Sequence, residues 1–464
     1  MPDRAKRLAD EYAKCAASPP RRNLNQNLFG ASGGEEYNAW RVSHPRSQAR
    51  LYRRSQVTAS YVTMDSIFTI ESFSSTPYPR AGTIHTCHGT VSTPTYMPVG
   101  TFGPVRLLDV DELRSARAPI VLANALHVHT SVGSETVQKF GGIGEFTGWK
   151  GPTLTDSGGY QVSYMWQSGT HSLEQGERKH SPDSPVERIT DDGVRIRSPR
   201  SGQRYWLTPE YAMEIQAMIG ADIVMAFDQP TFDTDSLVDA SESLARSHRW
   251  TVRSLEHWKR LEATGVALPN RLFLPIVQGG RHKQLRRESA QFTVDLNPVG
   301  IAIAGESIGI DPDISAETVS MVRDIIPPAK PLYAMGLGGG PEGFFKAVEQ
   351  GVDIFDNTSP TRLGRCGYAL ISPNAGGTPG NHFRLSLKKG CYALDKSPVD
   401  PDCQCKTCRN YSRGYLRYLL RLGDPLGMRL LSYHNLWFMC SLSRLIRDAV
   451  LAGTFCSLYK GWLQ

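Results

Sequence analysis

Seven short apolar segments, each ending in a polar or glycine-containing turn, constrain the fold of this chain more than any other feature. In order they read IVLANALH, PTLTDSGG, DIVMAFDQ, LFLPIVQGG, GIAIAGES, LYAMGLGG and VDIFDNTS. Helix-length amphipathic stretches lie between several of them, at residues 208–219, 239–261, 284–296 and 341–350. An alternation of strands and helices predicts an α/β protein with a parallel sheet.

Six residues at the C-terminal ends of these segments favour one parallel architecture over another. They occur on six different segments, and a closed barrel aims all of its strand ends at one opening. An open doubly wound sheet concentrates its ligand residues at a switch point instead. We therefore predict a (β/α)8 TIM barrel. The six residues are Asp156, Asp228, Gln278, Glu306, Met335 and Asp356.

The length of 464 residues, with 40% hydrophobic and 21% charged residues, allows a barrel and a smaller appendage. We predict an N-terminal extension at 1–63, a catalytic barrel at 64–383 and a zinc-binding subdomain with closing helices at 384–464. For the Ser- and Arg-rich extension, a flexible segment, a targeting segment and a misassigned start before Met64 all stay open. No apolar run reaches the roughly 18 residues of a membrane span and no secretory signal opens the chain, so we expect a cytoplasmic protein.

Positive charge is concentrated in two parts of the chain. The net charge is +7, and residues 1–63 and 384–434 each carry +6, which leaves the remainder acidic. A basic C-terminal part beside an acidic body favours an anionic partner such as nucleic acid. A merely solvated charged surface is the competing interpretation, because most charged runs are of that kind.

Three of the nine cysteines lie close together in the segment CQCKTC, and a histidine follows in the helix-like segment LLSYHNLWF. This spacing favours a metal site in a reducing compartment over a disulfide framework. Three thiolates and one imidazole make a closed tetrahedral zinc site, so we predict one structural Zn²⁺ per chain. The predicted ligands are Cys403, Cys405, Cys408 and His434.

Arginines recur every four residues directly after the cysteine cluster, at positions 409, 413, 417 and 421. This spacing predicts a single stripe along a helix. A helix anchored by zinc would present such a stripe to phosphate groups.

Asp356 ends an apolar run, and Arg362 and Arg365 follow it closely, a pattern typical of reactive chemistry beside an anion-binding loop. Together with Asp156 it supplies two carboxylates on separate strands. Such a pair suits displacement at a sugar carbon, in which one carboxylate attacks and the other transfers a proton. A turn or helix cap is the competing interpretation for Asp356, because Asp-Asn-Thr-Ser is rich in capping residues.

Four further residues suit a purine-like base. Asp228 and Gln278 offer acceptor and donor groups for its edge, and Tyr160 and Met335 offer surfaces for its two faces. Burial in the core is the competing interpretation for Tyr160 and Met335.

In combination these motifs resemble the tRNA-guanine transglycosylase family, from about Phe68 to the C-terminus. The matching motifs are TDSGGYQ, MAFDQPT, PIVQGG, AMGLGG, FDNTSPTRLGRCG and CQCKTCRNYSRGYLR, followed by His434. The resemblance implies a barrel with a zinc-binding subdomain and a dimeric enzyme of queuosine biosynthesis. Its reaction would exchange the wobble guanine of a tRNA anticodon for a 7-deazaguanine base, preQ1 or queuine.

The resemblance also implies roles for individual residues. Asp356 would be the nucleophile on the ribose C1′, and Asp156 the general acid and base. The base would be bound by Ser157, Tyr160, Asp228, Gln278, Gly305, Glu306 and Met335. The tRNA would be bound by Arg362, Arg365, Arg409, Arg413 and Arg417.

Departures from the family leave several points open. Bacterial members carry Gly-Gly-Leu where this chain has Ala304-Gly305-Glu306, so the identity of the incoming base is not determined. One hypothesis pairs Glu306 with the amine of 7-aminomethyl-7-deazaguanine. The polar insertion at 168–191 has no assigned role, and a homodimer is expected although a heterodimer stays open.

Two other functions also fit the sequence. One is a catalytically inert accessory subunit that binds tRNA or a catalytic partner, and the other is a relative that modifies another nucleic-acid site. The presence of both Asp156 and Asp356 favours an active enzyme.

Overall fold

The computed structural model describes residues 67–73, 78–168, 185–197, 202–305, 311–337 and 340–464. The predictions for residues 1–63 and Glu306, and most of the 168–191 insertion, lie outside these residues. The strands are β1 Phe68–Phe73, β2 Arg80–Thr86, β3 Gly89–Thr93, β4 Thr95–Met97, β5 Val99–Gly100, β6 Val121–Ala123, β7 Thr153–Thr155, β8 Val186–Ile189, β9 Val194–Arg197, β10 Arg204–Leu207, β11 Ile223–Met225, β12 Leu272–Leu274, β13 Ile276–Val277, β14 Ile301–Ile303, β15 Leu332–Ala334, β16 Ile354–Asp356, β17 Tyr368–Leu370 and β18 Arg384–Ser386.

The helices surround the barrel strands and form most of the C-terminal part. They are α1 Val110–Ser115, α2 Ala125–Val132, α3 Ser134–Lys139, α4 Ile143–Thr147, α5 Gly159–Ser168, α6 Pro209–Ile219, α7 Leu237–Ala263, α8 Lys283–Asp295, α9 Pro312–Ser320, α10 Pro341–Glu349, α11 Ser359–Arg365, α12 Lys406–Asn410, α13 Arg413–Leu422, α14 Pro425–Leu451 and α15 Phe455–Leu463. None of these helices combines the length and the apolar character needed to cross a membrane.

Two proline-interrupted strands close the barrel. Pro98 separates β4 from β5 and Pro275 separates β12 from β13, because proline has no N–H to donate to a strand ladder. The carbonyl groups of both prolines still accept, from Leu122 N at 3.0 Å and from Ala302 N at 2.9 Å. With each interrupted pair counted as one, eight parallel strands follow one another around a closed ring. The predicted (β/α)8 barrel is confirmed.

Local sequence explains where the helices begin and end. Thr208 caps α6 by accepting from Tyr211 N, Pro209 opens the helix, and Gly220 ends it in a left-handed conformation. Ser236 caps α7 in the same way through Asp239 N. The helices predicted at 208–219, 239–261, 284–296 and 341–350 all agree with the structure to within two residues.

The antiparallel sheet β1–β3 packs against one end of the barrel. Its residues Phe68, Ile84 and Val91 share a buried cluster with barrel residues such as Ile223 and Leu272. Because β3 leads directly into the start of β4, this sheet covers the amino-terminal ends of the barrel strands. The carboxyl-terminal ends, where a barrel carries its active site, point the other way.

The long helix α14 fastens the C-terminal part to the barrel beside Asp356. Its Asn435 donates to Pro360 O at 2.8 Å and to Tyr368 O at 3.0 Å, and accepts from Leu370 N at 2.7 Å. A Cβ atom at Gly364 of α11 would lie 2.5 Å from Ser432 N of α14, so only glycine allows this approach. The helix that follows Asp356 is therefore held in place by the C-terminal part.

The predicted arginine stripe along a single helix is wrong. Arg409 lies on α12 and Arg413 begins α13, and the two helices are separated by Tyr411 in an extended conformation. The break arises because the Ser412 side chain accepts from Tyr415 N and so starts a new helix. Arg413 donates to Val399 O at 2.9 Å and Arg417 to Lys389 O at 2.9 Å, so both also brace local backbone.

Candidate active site

Asp356 is the last residue of β16 and lies at the mouth of the barrel. Its Oδ1 accepts from the Tyr333 hydroxyl at 2.6 Å and from Gly336 N at 2.8 Å. Within the described part of the chain no other residue donates a hydrogen bond to Oδ2, so that oxygen has lone pairs available for a ligand. Burial raises the pKa of Asp356, and the two hydrogen bonds partly offset the effect. The competing interpretation as a helix cap is wrong, since Thr358 is the N-cap of α11.

Asp156 follows β7 and is surrounded by donors. Ala125 N donates to Oδ1 at 3.0 Å, and the side-chain amides of Asn124 and Gln161 donate to Oδ2. Burial raises the pKa of Asp156 to about 7, hydrogen bonds from Ala125 and Gln161 oppose the rise, and repulsion from Asp356 and Asp228 adds to it. A carboxyl group with this pKa both gives and takes a proton near neutral pH.

Asp228 forms a hydrogen-bonded network at the end of β11. The Ser157 hydroxyl donates to its Oδ1 at 3.0 Å, and Gln278 Nε2 donates to its Oδ2 at 2.6 Å. Burial raises the pKa of Asp228 to about 6, while these two hydrogen bonds lower it. Each carboxylate oxygen retains a further lone pair, so the group can still accept from the N–H groups of a base.

A glycine turn brings backbone close to this network. A Cβ atom at Gly159 would lie 2.2 Å from Asp228 O, and Gly158 has a positive φ of 87°. Both positions therefore require glycine. The turn places Tyr160 in the first turn of α5 with 49% of its surface exposed, so Tyr160 is not a core side chain.

Met335 and Gly305 lie just beyond the ends of β15 and β14. Met335 is half-buried against the barrel interior, and its N–H donates to Ile303 O at 2.9 Å. Gly305 is also half-buried. The two residues border the same opening as Asp356 because neighbouring parallel strands end side by side.

Arg362 and Arg365 lie on α11, directly after the strand that carries Asp356. Nη1 of Arg365 is buried without a hydrogen-bond partner in the described structure. Burial, together with repulsion from Arg106 and Arg362, lowers the pKa of Arg365 to about 10. A half-buried guanidinium with one buried nitrogen, held among like charges, favours an anionic ligand. Arg106, on the loop after β5, was not predicted as part of this group.

The four predicted metal ligands converge. The ligand atoms of Cys403, Cys405, Cys408 and His434 all lie within 4.8 Å of one another. Nδ1 of His434 lies 3.4 Å from Cys405 Sγ and 3.3 Å from Cys408 Sγ, while Nε2 lies 2.8 Å from Leu370 O. Because a carbonyl only accepts, the ring proton is on Nε2 and Nδ1 is free to bind a metal. The residues fit a closed metal site.

The groups that orient the carboxylates were not predicted from the sequence. Asn124 was visible as the polar end of IVLAN, and its Oδ1 accepts from His127 N, which fixes its amide toward Asp156. Tyr333 looked like an ordinary strand residue. Arg286 is buried and donates to Gly280 O at 2.8 Å and to Val277 O at 3.2 Å, which braces the turn after β13.

Comparison with known proteins agrees with this arrangement. The sequence model for queuine tRNA-ribosyltransferase matches residues 75–464. The chain belongs to this family. The queuine tRNA-ribosyltransferase of Lysinibacillus sphaericus is 38% identical over 371 residues, which cover 80% of this chain and 88% of the relative. That of Roseiflexus sp. is 37% identical over 406 residues, which cover 86% and 100%. The putative queuine tRNA-ribosyltransferase of Archaeoglobus fulgidus is 34% identical over 398 residues, which cover 83% and 96%.

Proposed function

We propose that this member of the queuine tRNA-ribosyltransferase family exchanges the wobble guanine of a tRNA anticodon for a 7-deazaguanine base. The observation that carries the proposal is the pair of carboxyl groups at one barrel mouth. Among the described residues no other side chain or backbone group donates to Oδ2 of Asp356, and burial raises the pKa of Asp156 to about 7. The family match and the names of the relatives support it.

The first step is an attack by Oδ2 of Asp356 on C1′ of the wobble ribose. The bond from C1′ to guanine breaks, and the electron pair leaves with the base. Protonated Asp156 gives its proton to the departing guanine and becomes a carboxylate. The ribose is then held as an ester of Asp356.

The second step reverses the first with a different base. The Asp156 carboxylate takes the proton from the ring nitrogen of the 7-deazaguanine, which attacks C1′ and releases Asp356. Two successive displacements preserve the configuration at C1′. Asp156 is again protonated, so the cycle is balanced without any further reagent.

The remaining groups bind the substrates in this proposal. Asp228, Gln278, Ser157 and Gly305 bind the edges of the base, while Tyr160 and Met335 stack on its faces. Arg362 and Arg365 bind the anticodon loop, with Arg409, Arg413 and Arg417 contacting tRNA from the C-terminal part. In this proposal the choice of 7-deazaguanine base depends on Glu306, which lies outside the described residues.

The metal site, the dimer and the compartment form the rest of the proposal. The Cys3His donor set fits Zn²⁺, which would supply only structural cross-linking because all four positions are protein ligands. A homodimer is supported by exposed apolar side chains on α13, among them Tyr418 and Leu422. Free thiols at the metal site suit the reducing cytoplasm.

Guanine incorporation tests the proposed function directly. The chain is incubated with labelled guanine and either a tRNA with wobble guanine or the same tRNA with wobble adenine. We expect label to enter only the first tRNA. Binding of the first tRNA without any incorporation would instead support the inert accessory subunit.

The pKa of Asp156 sets the expected pH dependence. Because burial raises this pKa to about 7, the carboxyl group holds its proton below pH 7 and loses it above. Guanine release needs the protonated form, so its single-turnover rate should fall about tenfold per pH unit above pH 7. In Asp156→Asn the release should be slow and this pH limb absent. A wild-type rate that stays constant between about pH 7 and pH 9 would contradict the assignment.

Asp228→Ala should weaken recognition of the incoming base. The substitution removes the acceptor and leaves the Ser157 hydroxyl and Gln278 Nε2 without their partner. We expect KM for the 7-deazaguanine base to rise by about 30- to 100-fold, with a smaller effect on kcat. Asp324→Ala is the matched control, since that exposed carboxylate pairs with Arg287 on the outside of the barrel. An unchanged KM would remove Asp228 from the base pocket.

A further inference from the structure

The antiparallel sheet β8–β10 has one buried face and one exposed, positively charged face. Its buried side chains join the second hydrophobic cluster; they are Val186, Val194, Ile196 and Leu207. The exposed side chains are Arg188, Arg195, Arg197, Arg204 and Trp206. We refer to these five exposed residues as the arginine face.

Strand pairing places the side chains of the arginine face next to one another. Arg204 lies opposite Arg197 and Trp206 lies opposite Arg195 in the pairing of β10 with β9. Arg188 lies opposite Arg195 on the other side of β9. The indole, of which 40% is exposed, therefore stands beside guanidinium groups.

The arginine face has a net positive charge. Glu187 is the one carboxylate within these three strands, and it is shared between Arg195 Nε at 3.0 Å and Arg204 Nε at 2.8 Å. The hydrogen bond from Arg204, together with the charges of Arg204, Arg195 and Arg197, lowers the pKa of Glu187. The side chains of Arg195 and Arg204 remain 53% and 60% exposed. Four arginines thus face solvent with one carboxylate among them.

The turn between β8 and β9 anchors the sheet to α7. Asp191 O accepts from Trp250 Nε1 and from Arg253 Nη1, both at 2.7 Å. The Asp191 carboxylate accepts from Arg249 at 2.7 Å and from Arg246 at 3.2 Å. These bonds hold the sheet in place. They also pair the Asp191 carboxylate with arginines of α7 and not with those of the arginine face. A ligand would meet a preorganised surface.

The chain order places the sheet at the same end of the barrel as the carboxyl groups. It is inserted between β7 and α6, in the connection that leaves the carboxyl-terminal end of a barrel strand. Connections of this kind surround the active-site mouth of a barrel. The arginine face is therefore on the side from which a large substrate must approach.

We infer that the arginine face binds the sugar-phosphate backbone of the substrate tRNA outside the wobble nucleotide. The inference rests on the proposed function. Guanidinium groups match phosphate oxygens in charge and geometry, and an exposed indole offers a stacking surface for a base or sugar. Charge complementarity favours nucleic acid over a protein partner, because the face combines four cations with a single aromatic and no aliphatic side chain.

The double variant Arg195→Gln/Arg197→Gln tests this contact in the full-length chain. We expect Kd for tRNA to rise about tenfold near physiological salt, and the slope of log Kd against log salt to fall by about two. Trp206→Ala should weaken binding but leave the slope unchanged, since stacking releases no counterions. Fluorescence anisotropy with end-labelled tRNA measures both quantities. Arg260→Gln, at an exposed position near the end of α7, is the control and should match the wild type.

The outcomes separate this inference from the proposed function. If the wild type exchanges guanine and the double variant shows unchanged Kd and salt slope, the arginine face does not bind tRNA. A changed oligomeric state with unchanged tRNA affinity would likewise overturn the inference in favour of a protein contact. If the double variant fails to fold, the single variant Arg197→Gln replaces it in the test. For this variant we expect the salt slope to decrease by about one. If the wild type exchanges no guanine, the proposed function itself is wrong.

Discussion

We expect Asp356→Asn to lower the rate of guanine exchange at least about 10⁴-fold below that of the wild type. An amide oxygen is too weak a nucleophile to displace guanine from C1′. The amide still accepts from Tyr333 and Gly336 through its oxygen, so the strand end keeps its geometry. Affinity for tRNA should therefore stay within about twofold.

Denaturing electrophoresis of quenched reactions distinguishes the possible outcomes for Asp356. The wild type should give a protein–tRNA adduct that Asp356→Asn lacks. Tyr333→Phe is the matched control, because it removes one hydrogen bond to Oδ1 and leaves the nucleophile in place. It should form the adduct more slowly. An adduct that persists in Asp356→Asn would show that another residue attacks the ribose.

Loss of the proposed Zn²⁺ is expected to have the second large effect. We expect Cys408→Ser, or treatment of the wild type with a strong chelator, to cost several kcal/mol and to lower Tm by about 10 °C or more. The reason is that the ligand set joins α12 to α14, and His434 is fully buried. Affinity for tRNA should fall as well, because α14 holds the helix that carries Arg362 and Arg365.

Elemental analysis and thermal unfolding measured on the same samples check this expectation. The wild type should contain one zinc per chain and Cys408→Ser much less. Cys456→Ser is the control, since this cysteine is exposed on α15 outside the ligand set. It should keep both the zinc and the Tm of the wild type. A full zinc content in Cys408→Ser would contradict the assignment of the ligand set.

The barrel was predictable from sequence because its strands are short apolar runs that end abruptly at polar residues. One barrel strand was missed. Residues 95–100 are split by Pro98 into β4 and β5, and neither piece is long enough to give a strand pattern of its own. The strand interrupted at Pro275 was still predicted, because LFLPIV is apolar on both sides of the proline.

Positions within the candidate site were easier to predict than the contacts that tune them. Asp356 and the metal ligands follow from local sequence, since strand ends and cysteine spacing are short-range signals. The donors Asn124 and Tyr333 act across strands, so their roles depend on barrel register rather than on neighbouring residues. The arginine stripe failed for a local reason, because helical spacing persisted across a break that Ser412 creates.

The proline interruptions divide the barrel into two halves of unequal chemistry. One half, from β5 to β12, contains Asp156 together with the three donors found for it among the described residues, Asn124, Ala125 and Gln161. The other half, from β13 to β4, contains Asp356. The two carboxyl groups are therefore oriented by separate sets of hydrogen bonds, one set in each half.

Among the contacts of Asp156, Asp228 and Asp356 described above, only the hydrogen bond between Gln278 and Asp228 joins the two halves. Asp228 follows β11 in the first half, and its partner Gln278 follows β13 in the second. A base bound to both side chains adds a further link across the Pro275 interruption. In the proposed function, a bound base would thus connect the half that contains Asp156 to the half that contains Asp356.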